Sequence, residues 1–240
     1  MTEQLDWVGT TLCPPSAYQP ELLAPRVPSL RAVEQHFRSL TQSDIDRHKD
    51  LWSKITPTKS EQIFQRYLFA FLSVHTSWEM NVQAYLKLKD WYEWANDEEV
   101  LWTKLNEAGV GLHNNRVKYI TLFARAYWKA SGEFVKAPCE TWTQCRDRLE
   151  KKLLGLGLAK SSFALELIYP TESSVACLDV HMFRLYGMNQ TKDRTRYKEL
   201  EAHWVQWSKM YNVPSFMARA IYWNKRQGHP DCRYWAYVFE

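Results

Sequence analysis

Apolar positions recur at helical spacing almost without interruption from Leu30 onward. Residues 30–40 and 43–55 each carry one apolar stripe. Next, Thr58-Lys-Ser-Glu61 reads as a capping box leading into IFQRYLFAFLSV, which is apolar nearly all round and predicts a central, buried helix. A helix is predicted to start at Asn96-Asp-Glu-Glu99 with Leu101, Leu105 and Val110 inward. Another covers residues 115–128 with Ile120, Phe123 and Ala124 inward, and Thr141-Trp-Thr-Gln144 repeats the capping signature.

The stretch 149–187, LEKKLLGLGLAKSSFALELIYPTESSVACLDVHMFRLYG, opens with a charged amphipathic helix and turns through Gly155-Leu156-Gly157. A mostly apolar helix follows, then a polar break at residues 170–174, and Asp179 stands at the start of a third helix. Helices over 197–210 and 214–223 come after it, then a break at Gly228-His229-Pro230 and an aromatic tail at 234–239. Residues 1–28, punctuated by Pro14, Pro15, Pro20, Pro25 and Pro28, read as an extended arm that packs on the body through Leu5, Trp7, Val8, Leu22 and Leu23. Runs that alternate with period two are few. The fold class is all-α.

Composition changes this picture little. At 240 residues and 45% hydrophobic the chain can bury one core, as a single unit or as two interleaved lobes, and a formal charge of +4 permits a polyanionic partner without requiring one. Cys13, Cys139, Cys145, Cys177 and Cys232 are scattered, with no CxxC and no run able to hold zinc or an iron–sulfur cluster. No metal or cofactor is expected, and reduced thiols in an intracellular protein are the simplest reading. The acidic, proline-broken start is no signal peptide, and no apolar run approaches membrane-spanning length. A monomer without membrane attachment is expected.

The candidate chemistry lies in the stretch 149–187. Alternate glycines between two helices let backbone N–H groups crowd an anion, and the helix that begins there adds its positive dipole end. Lys160 and Asp179 follow close behind. Read by itself, Asp179 is equally a helix N-cap, Lys160 a solvated lysine, and the glycine pair a structural turn between helices.

In these segments the chain resembles the helix-hairpin-helix (HhH-GPD) DNA glycosylase superfamily, which includes endonuclease III and the 8-oxoguanine glycosylases. LLGLGLAK followed by LDVHMFRLYG is similar to the family's Leu-Pro-Gly-Val-Gly-x-Lys and Val-Asp-x-His pattern. LFAFLSVHTSW resembles the first core helix ending in Leu-Ser-x-Gln-Thr, and LHNNRVKYI the Asn-x-Arg-Ala-x-x-Ile segment of archaeal-type 8-oxoguanine glycosylases. The resemblance covers residues 58–190 and implies a two-lobed fold: a six-helix lobe at 58–175, with the hairpin at 145–168, and a second lobe built from 1–57 and 176–240. The cleft between them would take a base flipped out of double-stranded DNA.

The resemblance further implies cleavage of a base's N-glycosidic bond. Asp179 would stabilise the positive sugar, and Lys160 would form a Schiff base leading to AP-lyase cleavage. The distance of Lys160 from Asp179 along the chain suits the family, but the family lysine lies two residues after the second glycine, where this chain has Ala159. One residue turns a helical side chain by about 100°. Gly155, Gly157, Lys151 and Lys152 would hold DNA phosphate, with Arg146 and Arg148 as weaker contributors, and Asn114, Asn115 and Arg116 would contact phosphate or the opposite strand. His75 occupies the place of the glutamine that fills the gap left by the flipped base, or else is a core histidine. His181 would support Asp179. Trp204, Trp207 and Trp223, with Tyr234 and Trp235, form the aromatic reservoir for a base pocket, 8-oxoguanine being the first guess. A phage-type enzyme of this fold that hypermodifies thymine, or a non-catalytic DNA-binding module, are the other readings. Localisation would be cytoplasm or nucleoid, and host cytoplasm for a viral protein.

Overall fold

A computed structural model describes residues 29–228 and 232–239, so the expected arm over 1–28 and the His229-Pro230 part of the predicted break lie outside the described residues. No strand occurs among the described residues, and the elements are helices joined by short turns. No helix among them is long and apolar enough to cross a membrane.

Helix α1 (Leu30–Arg38) and α2 (Gln42–Ile55) lead to α3 (Ser60–Leu72), the axis of the molecule. As its all-round apolar sequence requires, Phe64, Tyr67, Leu68, Phe69, Ala70 and Leu72 are buried. It packs on α4 (Trp78–Leu88), α6 (His113–Lys129) and α8 (Leu158–Ile168). Its cap lies one register beyond the expected one. Gln62 Oε1 accepts from the amides of Thr58 (2.9 Å) and Lys59 (3.1 Å), while Glu61 stays exposed. Arg66, buried within α3, donates to the Ile55 carbonyl and lies 3.4 Å over the Phe239 ring, which ties α3 to α2 and to α12 (Ala236–Phe239).

Asp97 caps α5 (Glu98–Glu107) by accepting from Glu99 N (3.0 Å) and Val100 N (3.1 Å). Ahead of α7 (Trp142–Lys152) the second capping box forms as expected, with Gln144 Oε1 accepting from Thr141 N at 2.8 Å and Thr141 Oγ1 accepting from Gln144 N at 3.2 Å. Helices α7 and α8 pack as the two arms of the hairpin. The short α9 (Val180–Leu185) follows. Then α10 (Tyr197–Met210) and α11 (Ser215–Gln227) pack on each other, and α11 on α2. Cys145, Cys177 and Cys232 are free and buried, whereas Cys139 is disulfide-bonded. The bond at Cys139 departs from the expectation of reduced thiols throughout.

Candidate active site

The hairpin uses its two glycines differently. Gly155 has φ +93°, and a Cβ there would collide with the Tyr119 ring from α6, so only glycine fits. Gly157 has an ordinary extended backbone (φ −83°, ψ −177°), with nothing within 4 Å of where a Cβ would stand. Its carbonyl begins α8 by accepting from Lys160 N (3.0 Å) and Ser161 N (2.9 Å). The amides of Gly157, Leu158 and Ala159 have no acceptor among the described residues. An open surface of free N–H groups at a helix start is suited to an anion.

Asp179 sits at the end of an extended segment that has no neighbouring strand. Side chains from separate helices satisfy its backbone instead. Glu201 Oε1 accepts from Ala176 N (3.0 Å), Glu166 Oε1 accepts from Cys177 N (3.1 Å), and Tyr197 Oη accepts from Leu178 N (3.3 Å) and donates to Ala176 O (2.6 Å). Ser215 Oγ donates to Val175 O at 2.8 Å. Both glutamates are buried and each faces an arginine: Glu166 pairs with Arg219, and Glu201 with Arg146 at 2.6 Å. Burial pushes both carboxyls above the usual carboxylate range against the opposing pull of the guanidinium groups. Burial also opposes the charge on Arg219, yet the Glu166 carboxylate beside it raises its pKa.

At the end of this segment Asp179 caps α9, its Oδ1 accepting from His181 N (2.9 Å) and Met182 N (3.0 Å). Capping and a place in the site hold together, because Asp179 also lines a cavity of about 350 Å³. Lys160, His181, Trp223, Tyr234 and Trp235 line the same cavity. The displaced lysine therefore reaches this cavity, whereas Ala159 packs on the core. Lys160 makes no ion pair among the described residues, and its Nζ lies 5.3 Å over the Phe163 ring. Beside it Cys177 is buried, and burial pushes its thiol up to about 12.

Other expected site residues fall elsewhere. Trp204 is fully buried in the core, donating to Ser215 O at 3.2 Å, and Trp207 donates to His203 Nε2 at 2.9 Å. Neither lines the cavity, because the helical face of α10 that carries them packs toward α1: the Phe37 ring lies 4.7 Å from Trp204 and 5.8 Å from Trp207. Arg116 is not a surface contact. Its buried guanidinium donates to Gly111 O (2.6 Å), Phe71 O (3.2 Å), Leu72 O (2.8 Å), Val74 O and Thr76 Oγ1 (2.7 Å), and burial lowers its pKa. Asn114 and Asn115 are exposed in the first turn of α6. Lys151 is exposed at the end of α7, but Lys152 pairs with Glu133. Arg146 is buried against Glu201, and Arg148 pairs with Glu140 at 2.7 Å. His75 is not in the core: it is exposed on the loop before α4 with φ +51°. Leu112, not singled out in the sequence, is likewise exposed with φ +63° on the loop before α6.

Asn81, Arg219 and Glu166 also belong to the site or its support and were not anticipated. Their signal is a polar residue on the inward face of an apolar helix, visible only once the helix register is known.

A glycine hairpin, together with a helix-capping aspartate and a lysine that line one cavity, within an all-helical frame, matches the class of helix-hairpin-helix DNA glycosylase folds. The family model Ogg-HhH, described as 8-oxoguanine DNA glycosylase, matches residues 42–213, and the chain belongs to that family. Among solved structures, the chain is similar to the Methanocaldococcus jannaschii 8-oxoguanine glycosylase/lyase in complex with a 15mer DNA containing 8-oxoguanine. That match has a TM-score of 0.66 at 22% identity and covers 82% of this chain and 96% of that one. The 8-oxoguanine DNA glycosylase of Thermotoga maritima is similar with a TM-score of 0.59 at 20% identity, covering 83% and 90%. Among curated proteins none matches.

Proposed function

We propose that the chain is a DNA glycosylase that excises an oxidised purine, 8-oxoguanine first, from double-stranded DNA and then cleaves the strand. The observation that carries this reading is that Lys160 and Asp179 line one cavity, beside a hairpin with free amides. Family membership supports it, as does the DNA-bound state of a structural relative.

In this reading the amides of Gly157, Leu158 and Ala159 hold a phosphate at the start of α8. The helices α3 to α8 form one lobe, and the remaining helices the other. His75 and Leu112, both exposed on strained backbone, enter the stack where the base has left. The Lys160 nitrogen attacks the sugar C1′ as the glycosidic bond breaks, and the base departs with the bonding electrons and takes up a proton. The negative charge of Asp179 lowers the cost of the cationic sugar between those events. The resulting amine gives up a proton, its lone pair forms the C1′=N bond of a Schiff base as the C1′–O4′ bond breaks, and O4′ takes up a proton. Removal of a C2′ proton then expels the 3′-phosphate, which is the lyase step.

Borohydride trapping on duplexes carrying single damaged bases tests this. A covalent complex with 8-oxoguanine DNA that disappears in Lys160→Ala is the expected result. Alkali-labile abasic sites without trapping would assign a water-using, monofunctional enzyme. Neither product on any duplex, or a base that gains mass, would overturn the reading.

A further inference from the structure

The inward face of α4 is apolar and aromatic except at one position. Trp78 lies 4.5 Å from Trp235 and 5.6 Å from Phe69, and one helical face further on Tyr85 lies 5.5 Å from Phe69 and 5.6 Å from Phe239. Between them in the same register stands Asn81, only 2% exposed, where packing alone calls for leucine or methionine. Asn81 lines the cavity, and its buried Oδ1 has no hydrogen-bond partner. A buried amide oxygen without a donor is costly, so it signals a partner that arrives from outside.

Several other polar side chains of the lining are already engaged, while Lys160, Asp179 Oδ2 and His181 Nδ1 stay unpaired among the described residues, toward the sugar side of the reading above. The Asn224 carboxamide is held by His48 (3.3 Å) and Tyr234 (2.5 Å), Arg219 by Glu166, and Ser77 Oγ by the Met80 amide (3.3 Å). Asn81 thus presents an acceptor among aromatic walls, and a ligand group that meets it must bring an N–H. Guanine offers only acceptors, N7 and O6, along that edge. Oxidation at C8 places a carbonyl there and turns N7 into an N–H.

We propose that Asn81 is the specificity-determining residue of the cavity, its Oδ1 accepting the N7–H that distinguishes an oxidised guanine from guanine. This deepens the glycosylase reading and rests on it.

The test compares wild type, Asn81→Leu and Asn81→Asp on duplexes carrying 8-oxoguanine, guanine or 8-bromoguanine. The bromo base has bulk at C8 but no N7–H. Affinity for a duplex with a tetrahydrofuran abasic analogue, which has no base to read, controls for fold and backbone contacts. Wild type is expected to excise 8-oxoguanine in preference to 8-bromoguanine. Asn81→Leu should lower that preference roughly ten- to a hundred-fold with abasic-analogue affinity kept within about two-fold, and Asn81→Asp, which keeps an acceptor, should retain most of the preference. A merely structural role would move rate and affinity together and leave the preference intact. An unchanged preference in Asn81→Leu, or its loss in Asn81→Asp, overturns the assignment while leaving the glycosylase reading standing. A wild type that excises no base overturns both.

Discussion

The two carboxylate oxygens of Asp179 stand in different surroundings. Oδ1 accepts from the first amides of α9, while Oδ2 has no partner among the described residues. Asparagine caps a helix about as well as aspartate but carries no charge. Asp179→Asn should therefore keep the melting midpoint of the wild type, with a stability change within about 0.5 kcal/mol, while single-turnover excision falls at least about a hundred-fold. An equal loss of stability and activity would assign Asp179 to capping alone. Lys160 illustrates the limit of counting along a motif. Measured from the glycines it is one place too far, yet the turn at Gly155, with its positive φ, brings Lys160 rather than Ala159 to the cavity.

At the level of elements, Arg116 is the joint between two loops. One guanidinium binds the last carbonyls of α3, the loop that displays His75, and the Gly111 carbonyl beside exposed Leu112. Arg116→Leu leaves several buried carbonyls without donors and should cost on the order of 2–4 kcal/mol in chemical denaturation. Arg116→Lys should recover little of it, since an ammonium cannot replace the planar fork. Affinity for an abasic-analogue duplex should fall in both, and wild-type affinity in either would mean that neither loop meets DNA. Most elements were legible in the sequence because stripes, caps and glycines are local: α5, α6, α7 and α10 begin within a few residues of their predicted starts. Helix α4 was not, and its sequence says why. Its Ser77 cap is ordinary, and its inward stripe is broken by Asn81 where an apolar residue would have completed the pattern. The tryptophans of α10 were legible as a reservoir but not as core or pocket, since that choice depends on which neighbour the helix faces.

Across the whole molecule, buried polar groups join helices that are remote in sequence. His36 donates to Ala218 O at 2.9 Å, and His203 lies between Tyr186 and Trp207, with Nε2 accepting from the Trp207 indole. Burial lowers both imidazoles to about 4. The unfolded chain, with histidines near 6.5, binds more protons than the native state between those values, so this contribution to stability is complete above about pH 6.5 and is lost as pH falls through 4. His36 contributes on the order of 3 kcal/mol, and His203, less deeply enclosed, contributes less. Imidazole NMR should find both neutral at pH 5.5, with the midpoint of unfolding already falling. Titration of either near 6.5 would contradict the packing. The segment before Asp179 has a consequence of another kind. Its shape is held by Glu166, Tyr197, Glu201 and Ser215, contributed by three helices, and not by any stretch adjacent to it. Moved into another scaffold by itself it would carry the aspartate but not its aim. Within this chain, changes at those four positions can succeed only in concert, so the site can be inherited or redesigned only as a dispersed set.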